Sequence, residues 1–142
     1  MAASSYSSPP AWFRIAALVG LVWNGFGVAM YLSAVGVFGD PSAGMSEAER
    51  QAAESIPAWI MGAFAAGTFS GLLGSLGLIL RKAWAQPVLI SSLLALFILE
   101  GWIMFLSGAV ETFGVAVPTI VVIGAVLLAT LAVHARKRRW LA

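Results

Sequence analysis

The chain has no cysteine, which removes disulfides, thiolate metal sites and cysteine nucleophiles together. Charge is almost as scarce: 10% of the 142 residues are Asp, Glu, Lys or Arg, against about 25% in a soluble domain. Histidine occurs once, at His134 in a basic tail. No histidine pair is therefore available inside an apolar run to hold haem, and the serines in those runs have no histidine beside them. No lysine lies within an apolar run to form a Schiff base, and the acids form no cluster with metal-ligand spacing. These absences leave no enzyme chemistry, cofactor or metal to expect, and no nucleic-acid partner.

What is abundant is apolar sequence: 61% of residues are hydrophobic and the mean hydropathy is +0.94. Apolar runs fall at about 12–38, 57–80, 85–108 and 114–135, each able to supply the roughly 20 residues that span a bilayer as a helix. Helices satisfy their own backbone polar groups in lipid, so helix is the expected form. The first run follows a Ser-rich opening and Arg14, and its stretch from Ile15 to Phe38 is too long for a signal-peptide core. It reads as a retained helix. The expected fold is all-α, an integral membrane four-helix bundle forming a single domain over residues 1–142.

Orientation follows from the cations. In a four-span chain, Arg14, Arg81, Lys82, Arg136, Lys137, Arg138 and Arg139 fall on one side, leaving Arg50 opposite. The basic side is expected to be cytoplasmic, which places both termini there in a bacterial inner membrane. Asp40, Glu47, Glu49, Glu54 and Glu111 occupy the other side. Trp12, Trp59, Trp84 and Trp140 sit near predicted helix ends, where an indole can bury its ring at headgroup level. In the outer loop 39–56, Ser46 and Glu49 have capping-box spacing. Met45, Ala48, Ala52 and Ile56 share one helical face beyond it. Either a short amphipathic helix on the outer membrane surface or a solvated loop with one helical turn fits that pattern.

Three features inside the spans could carry more than topology. The second span has a stripe of small residues at Ala63, Gly67, Ser70, Gly71 and Gly74, opposite Phe69, Leu72, Leu76 and Ile79. Such stripes let helix backbones approach closely in lipid. The first span carries Ala17, Gly20, Asn24, Gly27 and Tyr31 at helical spacing, with the amide of Asn24 needing a partner in hydrocarbon. Glu100 lies in the third span, about fifteen residues or roughly 22 Å from its basic end, and Asn24 comes out near 18 Å. These depths are similar enough for contact, and Glu100 is expected to face the bundle interior within reach of Asn24 or another polar side chain, as interhelical glue or as part of a polar site with Tyr31 and Thr68, the alternative being that it snorkels outwards. The run Arg136, Lys137, Arg138 and Arg139 is expected to fix topology and touch anionic lipid headgroups.

The string Trp23-Asn24, Gly27, Tyr31, Pro57-Ala58-Trp59, Gly71, Gly74-Ser75, Leu80-Arg81-Lys82, Ala85, Pro87-Val88 and Ser92-Leu93 resembles a family of uncharacterised bacterial four-helix membrane proteins whose members are often labelled sugar transporters. The resemblance covers roughly Leu21 to Leu96 and implies the fold and topology. Family members tend to carry an acid where this chain has Met30, so no role of that acid is transferred.

Two functions lead on this pattern, with a membrane-embedded enzyme ranked behind both. One is a non-enzymatic bundle acting through protein or lipid contacts, for instance as an accessory subunit of a larger membrane complex. The alternative is a small-solute or proton-coupled transporter built on Asn24, Tyr31, Thr68 and Glu100, which four helices could form only as a homo-oligomer.

Overall fold

A computed structural model describes residues 7–108, 110–111 and 114–142; the opening at positions 1–6 lies outside the described residues. Among the described residues, five helices follow in chain order: α1 (Ala11–Ala34), α2 (Glu47–Glu54), α3 (Ala58–Ile79), α4 (Ala85–Phe105) and α5 (Ala116–Lys137). Among the described residues there are no strands. All but α2 are long and apolar enough to cross a membrane. Exposed Ile15, Val19, Val22 and Phe26 on α1, and Val117, Ile120, Ile123 and Leu127 on α5, give these helices apolar outer faces, as a multi-pass membrane protein requires.

The long helices pack in the order α1, α3, α4, α5, and α1 and α5 touch only lightly to close the ring. Two apolar clusters fill the interior. Towards the basic end, Phe13, Ala17, Leu78, Ala85, Leu89, Ala132, Ala135 and Leu141 are all at most 3% exposed. Towards the acidic end, Ile60, Leu96, Leu99 and Ala125 form a second cluster flanked by half-buried Ile56, Phe64, Trp102 and Val121.

Helix ends explain where the observed spans differ from the sequence boundaries. α1 stops at Ala34 rather than at 38 because Gly36 turns left-handed (φ 81°). Val37 then donates to the Leu32 carbonyl at 2.9 Å and Gly36 to that of Ser33 at 3.0 Å, a closure that satisfies carbonyls left open at a helix end. α3 and α5 end in the same turn with arginine in the glycine position. Arg81 (φ 58°) and Arg139 (φ 57°) are left-handed, and Lys82 and Trp140 bond back to Gly77 and Ala135 at 2.8 and 2.9 Å. α5 continues to Lys137, two residues past its expected end, and α4 stops at Phe105, three short of its own.

The segment after α5 folds back over the basic end. Ala142 donates to the Arg81 carbonyl at 2.6 Å and accepts from the Ala83 N–H at 2.7 Å. Arg81 donates from Nε to the Trp140 carbonyl (3.0 Å) and from Nη2 to that of Ser7 (2.9 Å), while the Ser7 hydroxyl donates to the Arg138 carbonyl (3.0 Å). Beneath this clasp the Trp140 ring sits edge-on to Trp12, Phe13 and His134, with centroids 5.4 to 5.8 Å apart. Trp140 is thus a packing residue within the clasp, beyond the headgroup role its position suggested.

At the opposite end, α2 has no buried residue. It forms because Ser46 caps it: Glu49 N–H donates to Ser46 Oγ (3.3 Å), and Ser46 N–H donates to Glu49 Oε2 (2.7 Å). Those bonds from the Ser46 backbone and hydroxyl hold the Glu49 carboxyl below its ordinary pKa. Upstream, the Ser42 hydroxyl and N–H hold Asp40 below its ordinary value in the same way. Met45 and Ile56 fall outside the helix, and Ile56 packs against the acidic-end cluster. The face expected to unite Met45, Ala48, Ala52 and Ile56 is therefore interrupted at both ends.

Candidate functional site

α3 is the element on which the polar side chains converge. Gly67 and Gly74 back onto Leu96 and Leu89 of α4: a Cβ at either position would meet those side chains at 2.7 and 2.5 Å. Gly71 lies between α1 and α4, where a Cβ would come 2.0 Å from Asn24 Oδ1 and 3.0 Å from Ser92 Oγ. Only a residue without a side chain leaves room for the amide there.

Asn24 uses that space. Its Nδ2 donates to the Gly20 carbonyl (2.8 Å) and to Ser75 Oγ (3.4 Å). Across α3, Ser92 donates to the Gly67 carbonyl at 2.6 Å. Asn24, Ser75 and Ser92 are 6%, 0% and 3% exposed, so they form a sealed polar layer between the two apolar clusters. In a low-dielectric interior such a layer specifies one helix register, since any slip leaves a polar group unpaired. Sequence reasoning quoted Ser75 and Ser92 only within the family resemblance and gave neither a place in a polar site. Their signal was available: Ser75 lies one turn beyond Gly71, and Ser92 shares a helical face with Leu89 and Leu96.

The other expected site residues do not join this layer. Thr68 is buried, but its hydroxyl donates to the Phe64 and Ala65 carbonyls of its own helix (2.9 and 3.3 Å) while its methyl faces Gly27. Tyr31 is half-buried with its ring edge-on to Phe64 and Phe69, at 5.5 and 5.9 Å. Ser70 is also only half-buried, and its hydroxyl is taken by the Ala66 carbonyl within α3.

Glu100 is 5% exposed yet bonds neither Asn24 nor any other described residue. The register explains this. Asn24 and Ser92 share Gly71 although they are fourteenth in α1 and eighth in α4, so counting both helices from one plane misplaced their depths. Glu100 is eight residues past Ser92, about 12 Å further along α4. No fully enclosed side-chain oxygen or nitrogen among the described residues lacks a hydrogen bond.

The space beside Asn24 and Ser92, bounded by Leu96, Val121 and Leu128, amounts to about 10 Å³, at the threshold for a single water molecule. No group of three or more His, Asp or Glu side chains able to hold a metal occurs among the described residues. The run Arg136 to Arg139 is split by the end of α5: Arg136 and Lys137 complete the helix, and Arg138 and Arg139 form the turn into the clasp. All four are exposed.

Compared with models of protein families, with curated proteins and with solved structures, the chain finds no match.

Proposed function

We propose that this chain is a non-enzymatic membrane bundle that acts through its outer faces on protein or lipid partners, as an accessory subunit of a larger membrane complex. The closed interior carries this reading. With about 10 Å³ free beside the central amide, and with glycines already filled by Leu89, Leu96 and Asn24, a single chain offers a solute neither site nor path. The basic end lies in the cytoplasm of a bacterial cell and α2 rests on the outer surface of its inner membrane; the split of cations between the two sides and the resemblance described above support both placements. A reporter fused after Ala142 is then active only in the cytoplasm, and one placed near Gly44 only outside.

The partner reading is tested by extracting the protein from its native membrane into lipid nanodiscs and identifying what accompanies it. A stoichiometric companion protein is expected. A self-contained homo-oligomer whose subunits jointly enclose a polar cleft at Glu100 would instead support a small-solute or proton-coupled transporter. The observation favouring that second reading is the carboxyl of Glu100, 5% exposed and without a hydrogen bond among the described residues, because ionisable groups within spans often mark ion paths.

A further inference from the structure

Among the described residues, three grooves along the outside of the bundle differ in what lines them. The largest, about 610 Å³ between α3 and α4, is apolar apart from Ser70 and Ser91, whose hydroxyls are taken by their own helices. A second, of about 390 Å³ between α1 and α3, has Arg14 and Arg81 at its basic end, but the Arg81 guanidinium is committed to the Trp140 and Ser7 carbonyls. The third, about 490 Å³ between α4 and α5, is lined by Gln86, Pro87, Ile90, Val133, Arg136 and Lys137.

This third groove is graded along the helix axis. Gln86, Arg136 and Lys137 belong to the first turn of α4 and the last turn of α5, while Ile90 and Val133 lie one turn inward. Arg136 and Lys137 make no hydrogen bond or ion pair among the described residues. Five of the six acids lie at the other end of the bundle and the sixth, Glu100, is nearly four turns along α4 from Gln86. Two free cations and an amide above an apolar trough match one ligand chemistry, a phosphate diester carrying a hydrocarbon chain.

We infer that the α4/α5 groove holds one anionic phospholipid, its phosphate on Arg136 and Lys137 with Gln86 as a further donor, and one acyl chain along Ile90 and Val133. The inference rests on the reading that the basic end lies at a membrane surface. It goes further by separating Arg136 and Lys137 from Arg138 and Arg139, which carry the same charge but do not line the groove. Topology and the helix dipole both favour cations at this end, yet neither distinguishes those two pairs.

The test uses the full chain in neutral detergent, titrated with phosphatidylglycerol, phosphatidylcholine or inorganic phosphate, with bound lipid counted by native mass spectrometry and thermal stability followed in parallel. One phosphatidylglycerol is expected to be retained and to raise the unfolding midpoint, whereas phosphatidylcholine is lost and inorganic phosphate has no effect. Arg136→Gln is expected to weaken retention about fivefold, from the contribution of one juxtamembrane cation; Arg138→Gln, with the same charge change, leaves it intact. Ile90→Trp fills the trough without altering charge and is expected to abolish retention while leaving the lipid-free midpoint unchanged. Equal losses in the Arg136 and Arg138 variants, undiminished retention in Ile90→Trp, or equal stabilisation by inorganic phosphate would each overturn the site. None of these outcomes bears on whether a companion protein is found.

Discussion

The two ends of the bundle are built from the same four long helices and are held together very differently. At the basic end the buried cluster is at most 3% exposed, and a returning segment ties Ser7, Arg81, Trp140 and Ala142 by hydrogen bonds. At the acidic end three of the four cluster residues, Leu96, Leu99 and Ala125, are 7 to 8% exposed, and α2 buries nothing. The unpartnered Glu100 lies on this looser side. In lipid, where apolar burial gives helices little reason to associate, packing and interhelical hydrogen bonds decide which regions are rigid. The basic end of this protein has both.

The sharpest way to break the contrast is to remove the layer between the ends. Gly71→Leu forces a side chain onto the Asn24 amide and is expected to abolish the folded bundle, at or beyond the roughly 3 kcal/mol upper range for overpacking. Leu76→Ala, on the 40% exposed face of the same helix, is expected to cost under about 1 kcal/mol, in line with surface substitutions. Thermal unfolding in detergent compares the two, and equal tolerance would remove the glycine layer as the organising feature.

A smaller effect separates the ends themselves. Leu141→Ala empties a site 3% exposed beneath the clasp and is expected to cost about 2 kcal/mol or more. Ile56→Ala, at a half-buried position beside the acidic-end cluster, is expected to cost about half of that, because less surface is uncovered. Hydrogen exchange should show the basic-end amides opening in the first variant and only local change in the second.

Glu100 gives the next comparison. Since it makes no hydrogen bond, Glu100→Leu removes a desolvated carboxyl without orphaning a partner, and stability is expected to hold or rise by about 1 kcal/mol. A loss above about 2 kcal/mol would reveal a partner that depends on it. Glu100→Gln is expected to fold equally well. Under the transport reading it would also lose pH-dependent flux in proteoliposomes; under the accessory reading partner binding would be unchanged.

The smallest effect is at α2. Ser46→Ala removes the cap and is expected to cost about 1 kcal/mol of local helix. Acid should do the same more gradually. Glu49 is held below its ordinary value of 4.5, so its contribution is full above that value and is lost as pH falls through the lower folded one. Exchange of the α2 amides should therefore speed up at acid pH in the wild type and be insensitive to that change in Glu49→Gln.

Much of this architecture was legible because membranes constrain sequence strongly. Four apolar runs, a one-sided set of cations and two small-residue stripes located the long helices and the buried faces of α1 and α3, including Ala17, Gly20 and Asn24. The capping-box spacing at Ser46 and Glu49 marked the start of α2. Long-range register was not legible. Depth counted from helix ends paired Asn24 with Glu100, while the fold pairs it with Ser75, because contact across Gly71 fixes a relative height that no single helix encodes. The clasp was hidden for a related reason: Arg81 and Arg139 each adopt a glycine-like conformation, and the Arg81 side chain is held by bonds to residues 59 and 74 positions away.

The clasp also orders events during synthesis. Its three strands of contact come from the segment before α1, the link between α3 and α4, and the segment after α5. A ribosome delivers the last of these only after α5, so the joint cannot close before α5 has been made. Closure therefore depends on α5 being in place, and a chain cut before Arg138 would leave the Arg81 carbonyl and the Ala83 N–H without their Ala142 partners.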